Sequence, residues 1–273
     1  MIPDQRFLVF LDFDGTIADR GVLLPRPAQA ISKAQQRGHV VVLNTGRSFP
    51  EVPKPAWDAG FDGHVTSAGA FAKVGREMLH TEVISAPEVE RIIQALERRG
   101  ADFFLQYYDH IFATARMKTL LSQLHRQGLH PAPLAQIAGR LSLEGVARVV
   151  FSEGTTGPEQ GLMRELRPQL GSGLRFHPGI LPGRGVSSGE ISAASTNKAV
   201  CFGALREHFG IPAERVLAVG DDVNDLEMLK EAGIGVAMGH AKEEVKVAAD
   251  QTTSKGIRDG VPIAFLRNGL IVA

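Results

Sequence analysis

The sequence predicts an α/β protein whose core is a doubly wound, parallel, Rossmann-like sheet, with an α+β domain inserted into it. Short apolar runs alternate with helical segments in residues 1–80, and the alternation resumes near Glu190. The stretch between does not show this regular alternation. Strand–helix–strand repeats of this spacing form βαβ units, which build parallel sheets with right-handed crossovers. We therefore expect a core domain of residues 1–82 and 187–273 and an inserted domain of residues 83–186.

Composition and charge exclude several classes of protein. Lysine plus arginine and aspartate plus glutamate are equal at 30 each, so no basic field favours nucleic acid or anionic lipid. No apolar run approaches the roughly 18 residues of a membrane-spanning helix. Asp12 and Asp14 interrupt the apolar stretch near the N-terminus, which argues against a signal peptide. We expect a cytoplasmic enzyme that needs no nucleic acid, membrane or obligate protein partner.

The first segment contains a βαβ unit. Leu8–Leu11 and His39–Leu43 are short, continuous apolar runs, typical of strands that are buried on both faces. Between them, apolar residues recur at helical spacing from Pro25 to Gly38, and the glycine ends the helix. The other elements predicted here are a short, proline-rich helix at 49–60, a strand around Val65 and a hairpin at 71–79.

The inserted segment mixes helices with short aromatic strands. Apolar side chains lie along one side of a predicted helix from Pro87 to Arg99. Residues 178–189 are rich in glycine and are interpreted as a return linker. The other elements predicted here are strands at 103–108, 148–151 and 174–177 and a helix at 159–170.

The last segment returns to the βα pattern. A helix is predicted from Asn197 to His208, with Lys198 in its first turn, and Val216–Val219 is a fourth buried strand. The other elements predicted here are a helix ending near Ala232, a strand at 234–238, a helix at 241–249 and an edge strand at 251–253.

Two carboxylates follow the first strand, one residue apart. Residues i and i+2 of a strand share a face, so Asp12 and Asp14 are expected to point into one crevice while Phe13 turns away. Two anions this close repel each other unless a cation or a shared proton intervenes. Mg²⁺, which prefers oxygen ligands, suits such a site. The alternative is an ordinary acidic turn after a strand.

Three more polar clusters lie where a parallel α/β sheet binds ligands, at the C-terminal ends of strands or at a helix start nearby. Thr45 and Gly46 follow the second strand and offer a hydroxyl and a backbone N–H to phosphate oxygens. Lys198 can stabilise charge on a transferring phosphoryl group. Residues 221–225 follow the fourth strand, and aspartates on neighbouring strands can hold one Mg²⁺ together. Helix capping is the alternative role for these aspartates.

In their order along the chain, these motifs resemble those of the haloacid dehalogenase (HAD) superfamily. The matching motifs are Asp12-Phe13-Asp14-Gly15-Thr16, Thr45-Gly46, Lys198 and Gly220-Asp221-Asp222-Val223-Asn224-Asp225. The inserted segment resembles the large cap of the Cof-type branch, between the second and third motifs. Most members of that branch are phosphatases of sugar phosphates and other small phosphomonoesters. The resemblance spans the chain and implies a HAD core with an inserted cap.

The resemblance implies a role for each of four aspartates, two of them catalytic. Asp12 is the nucleophile that forms an aspartyl-phosphate, and Asp14 is first the general acid and then the general base. Mg²⁺ is held by Asp12, the backbone carbonyl of Asp14, and Asp221. Asp225 orients the waters of the metal or the phosphate from a second layer of contacts.

The resemblance also implies a phosphate site. Its expected members are Thr45, Gly46, Lys198 and Asn224. Two departures from the family pattern, Ala68 and Lys255 where asparagine is usual, bear on the identity of the substrate, a small phosphorylated metabolite that the sequence does not name.

Two alternatives to a phosphatase remain at this point. A phosphomutase would pass the same aspartyl-phosphate to a second hydroxyl. A non-catalytic sensor of phosphorylated ligands would keep the pocket, but it would not need both Asp12 and Asp14.

Overall fold

The structure is a computed structural model that describes residues 6–126, 141–152, 161–181 and 186–272. The chain divides into two compact units. The first unit comprises Met1–Gly46, Pro53–Thr81 and Asn197–Ala273, and the second comprises Arg47–Val52 and Glu82–Thr196. In the part of the chain described, no helix combines the length and the apolar character needed to cross a membrane.

The strands, in chain order, are Leu8–Leu11 (β1), Ala18–Asp19 (β2), Val22–Leu23 (β3), Val40–Asn44 (β4), Gly63–Thr66 (β5), Phe71–Val74 (β6), Glu77–Thr81 (β7), Asp102–Gln106 (β8), Ile111–Ala113 (β9), Arg148–Ser152 (β10), Leu174–Leu181 (β11), Val186–Ala193 (β12), Val216–Gly220 (β13), Ile234–Ala237 (β14) and Gln251–Thr252 (β15).

The α-helices are Pro25–Gln36 (α1), Lys54–Trp57 (α2), Ala86–Arg98 (α3), Ala115–Arg126 (α4), Gly161–Leu170 (α5), Phe202–Phe209 (α6), Leu226–Glu231 (α7), Glu243–Ala248 (α8) and Ile257–Arg267 (α9). Short 3₁₀ turns occur at Phe49–Glu51, Ser67–Gly69, Ala213–Arg215 and Val223–Asp225.

The first unit is built on an eight-stranded sheet in the order β15-β14-β13-β1-β4-β5-β6-β7. Strand β1 pairs in parallel with both β13 and β4. Every residue of these three strands is buried, because helices cover both faces of a parallel sheet. The pairings of β6 with β5 and of β6 with β7, the predicted hairpin, are antiparallel. The predicted doubly wound α/β core is confirmed.

The register of the central strands decides where the site forms. Leu11, the last residue of β1, lies between Val219 of β13 and Leu43 of β4. The next residue of each strand is polar or glycine: Asp12, Gly220 and Asn44. These residues therefore meet at one edge of the sheet, and the loops that follow them start from there.

The second unit is a five-stranded antiparallel sheet in the order β11-β12-β10-β8-β9. One face packs against α3 and α5, in a cluster that contains Ile92, Leu96 and Leu166. On the opposite face, Phe104 and Val150 pack against Met117 and Leu121 of α4. The sequence predicts an α+β insertion for this part of the chain.

The predicted return linker over residues 178–189 is wrong where the structure describes those residues. Instead, β11 and β12 form an antiparallel pair through them, and β12 also pairs with β10. Glycine fits inside this strand because a Cβ at Gly189 would overlap the ring of Phe151. Residues 187–196 consequently belong to the second unit, whereas the sequence placed them in the core. The assignment of the two units as core and cap domains stays a proposal.

Two other elements differ from the sequence prediction. Lys198 is not in a helix: residues 198–201 form turns, and α6 begins at Phe202. No element is predicted from the sequence over 257–267, where Gly260 and Pro262 would disfavour a helix. Yet α9 forms there, with Phe265 fully buried, because its packing outweighs the local propensity. The predicted start of α5 at Glu159 lies outside the described residues.

Candidate active site

Asp12 stands directly beyond β1, at the edge of the sheet defined above. Its backbone N–H donates to the carbonyl of Val219 at 3.0 Å, so the residue continues the pairing of β1 with β13. The residue is 5% exposed. A carboxylate this deeply buried requires partners that offset the loss of water.

Lys198 supplies that partner. Its fully buried ammonium donates to Asp12 Oδ1 and, at 2.6 Å, to Asp225 Oδ1. Burial alone would lower the pKa of Lys198, but the charges of Asp12 and Asp225 outweigh it and raise that pKa above its usual value. The lysine is therefore a permanent cation between two carboxylates.

Asp225 is held from both sides. While Oδ1 accepts from Lys198, Oδ2 accepts the backbone N–H groups of Asp221 at 2.9 Å and Asp222 at 3.1 Å. Gly220 is needed beside it, since a Cβ there would come within 2.5 Å of the Asp225 carboxyl carbon. Helix capping, the alternative role considered from the sequence, is thus part of what Asp225 does.

Asp221 faces the site from the end of β13. Thr16 Oγ1 donates to Asp221 Oδ1 at 3.2 Å, and His240 Nε2 lies 3.3 Å from Asp221 Oδ2. Gly15 has φ +83°, and a Cβ there would overlap the Asp221 carboxylate. The glycine of the first motif therefore allows the first and fourth motifs to approach each other.

The three carboxylates of Asp12, Asp221 and Asp225 each offer an oxygen, and these oxygens lie within 4.8 Å of one another. Burial raises the pKa of the Asp12 carboxyl well above its usual value; the Lys198 ammonium counteracts this, and the Asp225 carboxylate adds to it. Burial and Asp225 likewise raise the pKa of Asp221. The one buried ammonium contacts Asp12 and Asp225 and leaves excess negative charge among the three carboxylates, so the donor set fits a divalent cation.

The loop after β4 comes close to the loop after β13. Thr45 is buried, and its N–H donates to Val65 O at 2.9 Å. A Cβ built on Gly46 would lie 3.6 Å from Asn224 Nδ2, so these two predicted phosphate-site residues are neighbours. Asn224 itself is exposed. The amide of Asn224 and the backbone of Gly46 are therefore available side by side.

Asp14 lies in the turn that follows β1. Strand β1 ends at Leu11, and the chain then turns: the N–H groups of Ile17 and Ala18 both donate to Phe13 O. Asp14 is exposed and its side chain is not in the carboxylate cluster, so the strand alternation predicted for it and Asp12 does not apply. The exposed carboxyl of Asp14, close in sequence to the buried carboxyl of Asp12, is still suited to exchanging protons with a ligand bound at the surface of the site.

Three residues that contact this site have no role assigned to them from the sequence. They are Thr16 and His240, both beside Asp221, and Asn44, whose amide donates to the backbone carbonyl of Lys198 at 2.7 Å. The sequence pattern could have indicated Asn44, because it is the polar residue that ends the apolar run Val-Val-Val-Leu-Asn. His240 has no local signal.

Comparison with known proteins identifies the family. The sequence model of the haloacid dehalogenase-like hydrolases matches residues 9–265. The 5-amino-6-(5-phospho-D-ribitylamino)uracil phosphatase YcsE of Bacillus subtilis is 24% identical over 266 residues, which cover 94% of each chain. A relative from Haemophilus influenzae that also carries a phosphatase name is 36% identical over 266 residues, covering 93% of this chain and 95% of its own.

Solved structures share the fold. A protein of Geobacillus kaustophilus superimposes with a TM-score of 0.80 at 24% identity, covering 97% of this chain and 100% of its own. The HAD subclass IIB sugar phosphatase BT4131 superimposes with a TM-score of 0.76 at 23% identity, with the same coverage. At this level of identity the likeness establishes the fold.

Proposed function

Because the chain belongs to the haloacid dehalogenase-like hydrolase family and is a phosphatase of that family, we propose that it hydrolyses a small phosphomonoester through an aspartyl-phosphate on Asp12. The observation that carries this proposal is the asymmetry of the Asp12 carboxylate. Lys198 occupies Oδ1, whereas the described residues offer no hydrogen-bond donor to Oδ2. One oxygen is thus held and the other is left for a nucleophilic role.

In the first step, Asp12 Oδ2 forms a bond to phosphorus as the bond from phosphorus to the ester oxygen breaks. Asp14 donates its proton to that oxygen, so that the leaving group departs as a neutral alcohol. Lys198 remains protonated and offsets negative charge beside the reacting carboxylate.

In the second step, Asp14, now a carboxylate, takes a proton from water. The resulting hydroxide attacks phosphorus, the bond from phosphorus to Asp12 breaks, and inorganic phosphate leaves. The exposure of Asp14 supports this double role, because its carboxyl can reach both a leaving group and solvent water. A carboxylate at this position also favours hydrolysis over accumulation of the phosphoenzyme.

The phosphate would be bound by groups from three loops. These groups are the Thr45 hydroxyl, the Gly46 backbone N–H, the Lys198 ammonium and the Asn224 amide. The proximity of Gly46 to Asn224 and of Lys198 to Asp12 supports one common pocket.

We propose Mg²⁺ as the cofactor, held by Asp12, Asp221 and the backbone carbonyl of Asp14. Asp225 would orient the waters of the metal or the phosphate without binding the ion directly. This agrees with the three hydrogen bonds that already occupy both oxygens of Asp225. When bound, the ion would neutralise excess carboxylate charge and stabilise the charge of the phosphoryl group.

The substrate is proposed at the level of its class, a small phosphorylated metabolite such as a sugar phosphate. Two relatives in Bacillus subtilis, YcsE and YitU, are named as phosphatases of 5-amino-6-(5-phospho-D-ribitylamino)uracil. That compound, a set of hexose and pentose phosphates, and p-nitrophenyl phosphate are therefore the first panel to rank by kcat/KM.

Asp12→Asn is the direct test of the mechanism. Asparagine keeps the acceptor for Lys198 but is not a nucleophile, so phosphate release should fall by at least about a thousandfold with an unchanged or higher Tm. Asp222→Asn, an exposed neighbour of the site, is the matched control and should stay within about twofold of wild type. Wild-type-like turnover by Asp12→Asn would refute the nucleophile.

Asp14→Asn tests the second step. After rapid acid quenching, the mass of this variant should show one added phosphoryl group, or its phosphorylation should be slowed.

A hexose bisphosphate activator should leave the wild-type rate unchanged; strict dependence on it would favour the phosphomutase instead.

A further inference from the structure

Asn44 is the only polar residue of β4, at the end of a run of four aliphatic residues. It is fully buried and directly precedes Thr45. Buried amides are costly unless they make hydrogen bonds, so the contacts of this side chain are informative.

The Asn44 amide reaches across 154 residues of sequence to the backbone of Lys198. Its Nδ2 donates to Lys198 O at 2.7 Å and lies 3.4 Å from Met228 Sδ. The same lysine donates its ammonium to Asp12 and Asp225. Asn44 therefore holds the main chain of the residue whose side chain reaches the proposed nucleophile.

Other hydrogen bonds hold the residues on either side of Lys198. Asn197 Oδ1 accepts the N–H of Ala199 at 2.8 Å, and Cys201 Sγ contacts Gly69 O at 3.2 Å. These contacts shape the turn on both sides of Lys198. Since Lys198 lies outside a helix, no regular hydrogen-bond ladder fixes its carbonyl, and the Asn44 amide does so instead.

The carbonyl oxygen of the Asn44 side chain lowers the stability of the core. Its Oδ1 is buried and has no hydrogen-bond partner among the described residues. An unsatisfied buried acceptor destabilises a core, and an aliphatic side chain would pack beside Val42 and Met228 without it. The stability of the core alone does not account for asparagine here.

We propose that Asn44 is a positioning residue for phosphoryl transfer, which sets the main chain of Lys198 so that its ammonium meets Asp12. This inference rests on the proposed function, because it assigns Lys198 to that reaction. It also joins two loops of the site, since Asn44 ends the strand from which the Thr45-Gly46 loop starts.

The first test compares Asn44→Leu with Thr253→Val. Thr253 is also buried in the first unit and donates to a backbone carbonyl, that of Gly260 at 2.7 Å, but it has no role in the site. With p-nitrophenyl phosphate, Asn44→Leu should lower kcat by about 10- to 100-fold, because a displacement of about 1 Å is enough for such a loss. KM should change less than about threefold. Thr253→Val should lower Tm as much or more while keeping the wild-type kcat.

A double-mutant cycle with Lys198→Met asks whether Asn44 acts through the lysine. If it does, adding Asn44→Leu to Lys198→Met should cause almost no further loss of kcat. Independent, multiplying losses would overturn the inference, as would a kcat for Asn44→Leu within about twofold of wild type.

A crystal structure of Asn44→Leu provides a readout that does not depend on activity. The Lys198 ammonium should shift by about 1 Å or more relative to Asp12 and Asp225. An unchanged ammonium position would overturn the inference. A wild-type protein that hydrolyses no phosphomonoester would instead refute the proposed function, and the crystal structure would still decide the positioning role.

Discussion

At the scale of single residues, the turn after β5 holds three consecutive positions in the left-handed backbone region. Ser67, Ala68 and Gly69 have φ of +51°, +56° and +108°. Glycine adopts such angles freely, and Gly69 must lack a Cβ because one would overlap Asn197 O. For a residue with a side chain the left-handed conformation costs about 1–2 kcal/mol. This strain lies beside Thr45, whose carbonyl accepts the Ala68 N–H at 3.0 Å.

Ala68→Asn should relieve part of that strain. Asparagine enters the left-handed region more readily than alanine, and it is the usual family residue here. We expect the free energy of unfolding to rise by about 0.5–1 kcal/mol, measured by urea denaturation. Ala68→Val, which is β-branched, should lower it by at least about 1 kcal/mol. An asparagine variant no more stable than wild type would contradict this account.

At the scale of elements, the pairing of β10 with β12 depends on a missing side chain. Gly189 lies opposite Phe151 in this pair, and the ring of Phe151 fills the space where a Cβ would be. Phe151 is fully buried in the core of the second unit. Close packing leaves such a core little room for an added methyl group.

The substitutions Gly189→Ala and Gly203→Ala should therefore have opposite effects. At Gly189 the new methyl group would displace Phe151, and we expect a loss of about 1–3 kcal/mol. At Gly203, in the first turn of α6, nothing lies within 4 Å of a new Cβ, and alanine should stabilise the helix by about 0.5 kcal/mol. Thermal unfolding of both variants tests this, and equal Tm values would show that the packing around Gly189 is loose.

At the scale of the whole molecule, the site gathers carboxylates from segments more than 200 residues apart. Asp12 follows β1, while Asp221 and Asp225 follow β13, and the parallel pairing of these strands brings them together. In the absence of a metal ion, the repulsion between these carboxylates, which Lys198 offsets only in part, therefore opposes folding.

Mg²⁺ should consequently stabilise the folded protein. A ligand at about 100 times its Kd adds about 2.7 kcal/mol, enough to raise Tm by several degrees, and EDTA should reverse the effect and abolish turnover. Asp221→Asn should lose most of this Mg²⁺-dependent shift, whereas the exposed Asp222→Asn should retain it. A shift that persists in Asp221→Asn would remove this residue from the metal site.

The stability of the whole molecule should also depend on pH through His64. Burial, and to a smaller degree the charge of Lys73, lowers the pKa of His64 from 6.5 to about 4. Between these values the unfolded chain binds a proton that the folded protein does not, so stability falls as pH drops below 6.5 and levels off below about 4. Allowing for partial exposure, the loss between pH 7 and pH 5 should be about 1–2 kcal/mol.

His64→Phe checks this dependence. Phenylalanine keeps a ring against Trp57, whose ring centroid lies 5.1 Å away, but it does not titrate. Urea unfolding at pH 5 and pH 7 should show a smaller difference in the variant than in wild type. Other groups titrate in both proteins. The test therefore compares the slope of the unfolding free energy against pH in the variant with the slope in wild type. Equal slopes would show that His64 keeps its usual pKa.

Much of the fold and of the site can be predicted from local sequence. The apolar runs of β1, β4 and β13 mark buried parallel strands, and the order of the motifs identifies the HAD family. The strands follow from residues close together in the chain, because strand periodicity is a local property, and the order of the motifs can be read along the sequence without the tertiary structure. The sequence alone therefore determined the fold class and the family, and the family resemblance implied the phosphatase activity.

Only the tertiary structure decided how the chemical groups meet. It buries the Lys198 ammonium between Asp12 and Asp225, and it pairs the Lys198 carbonyl with the Asn44 amide. It also places Asp14 in an exposed turn. It also assigns β12 to the second unit and forms α9 across a proline. These outcomes depend on contacts between residues far apart in sequence, where packing and desolvation outweigh local propensity.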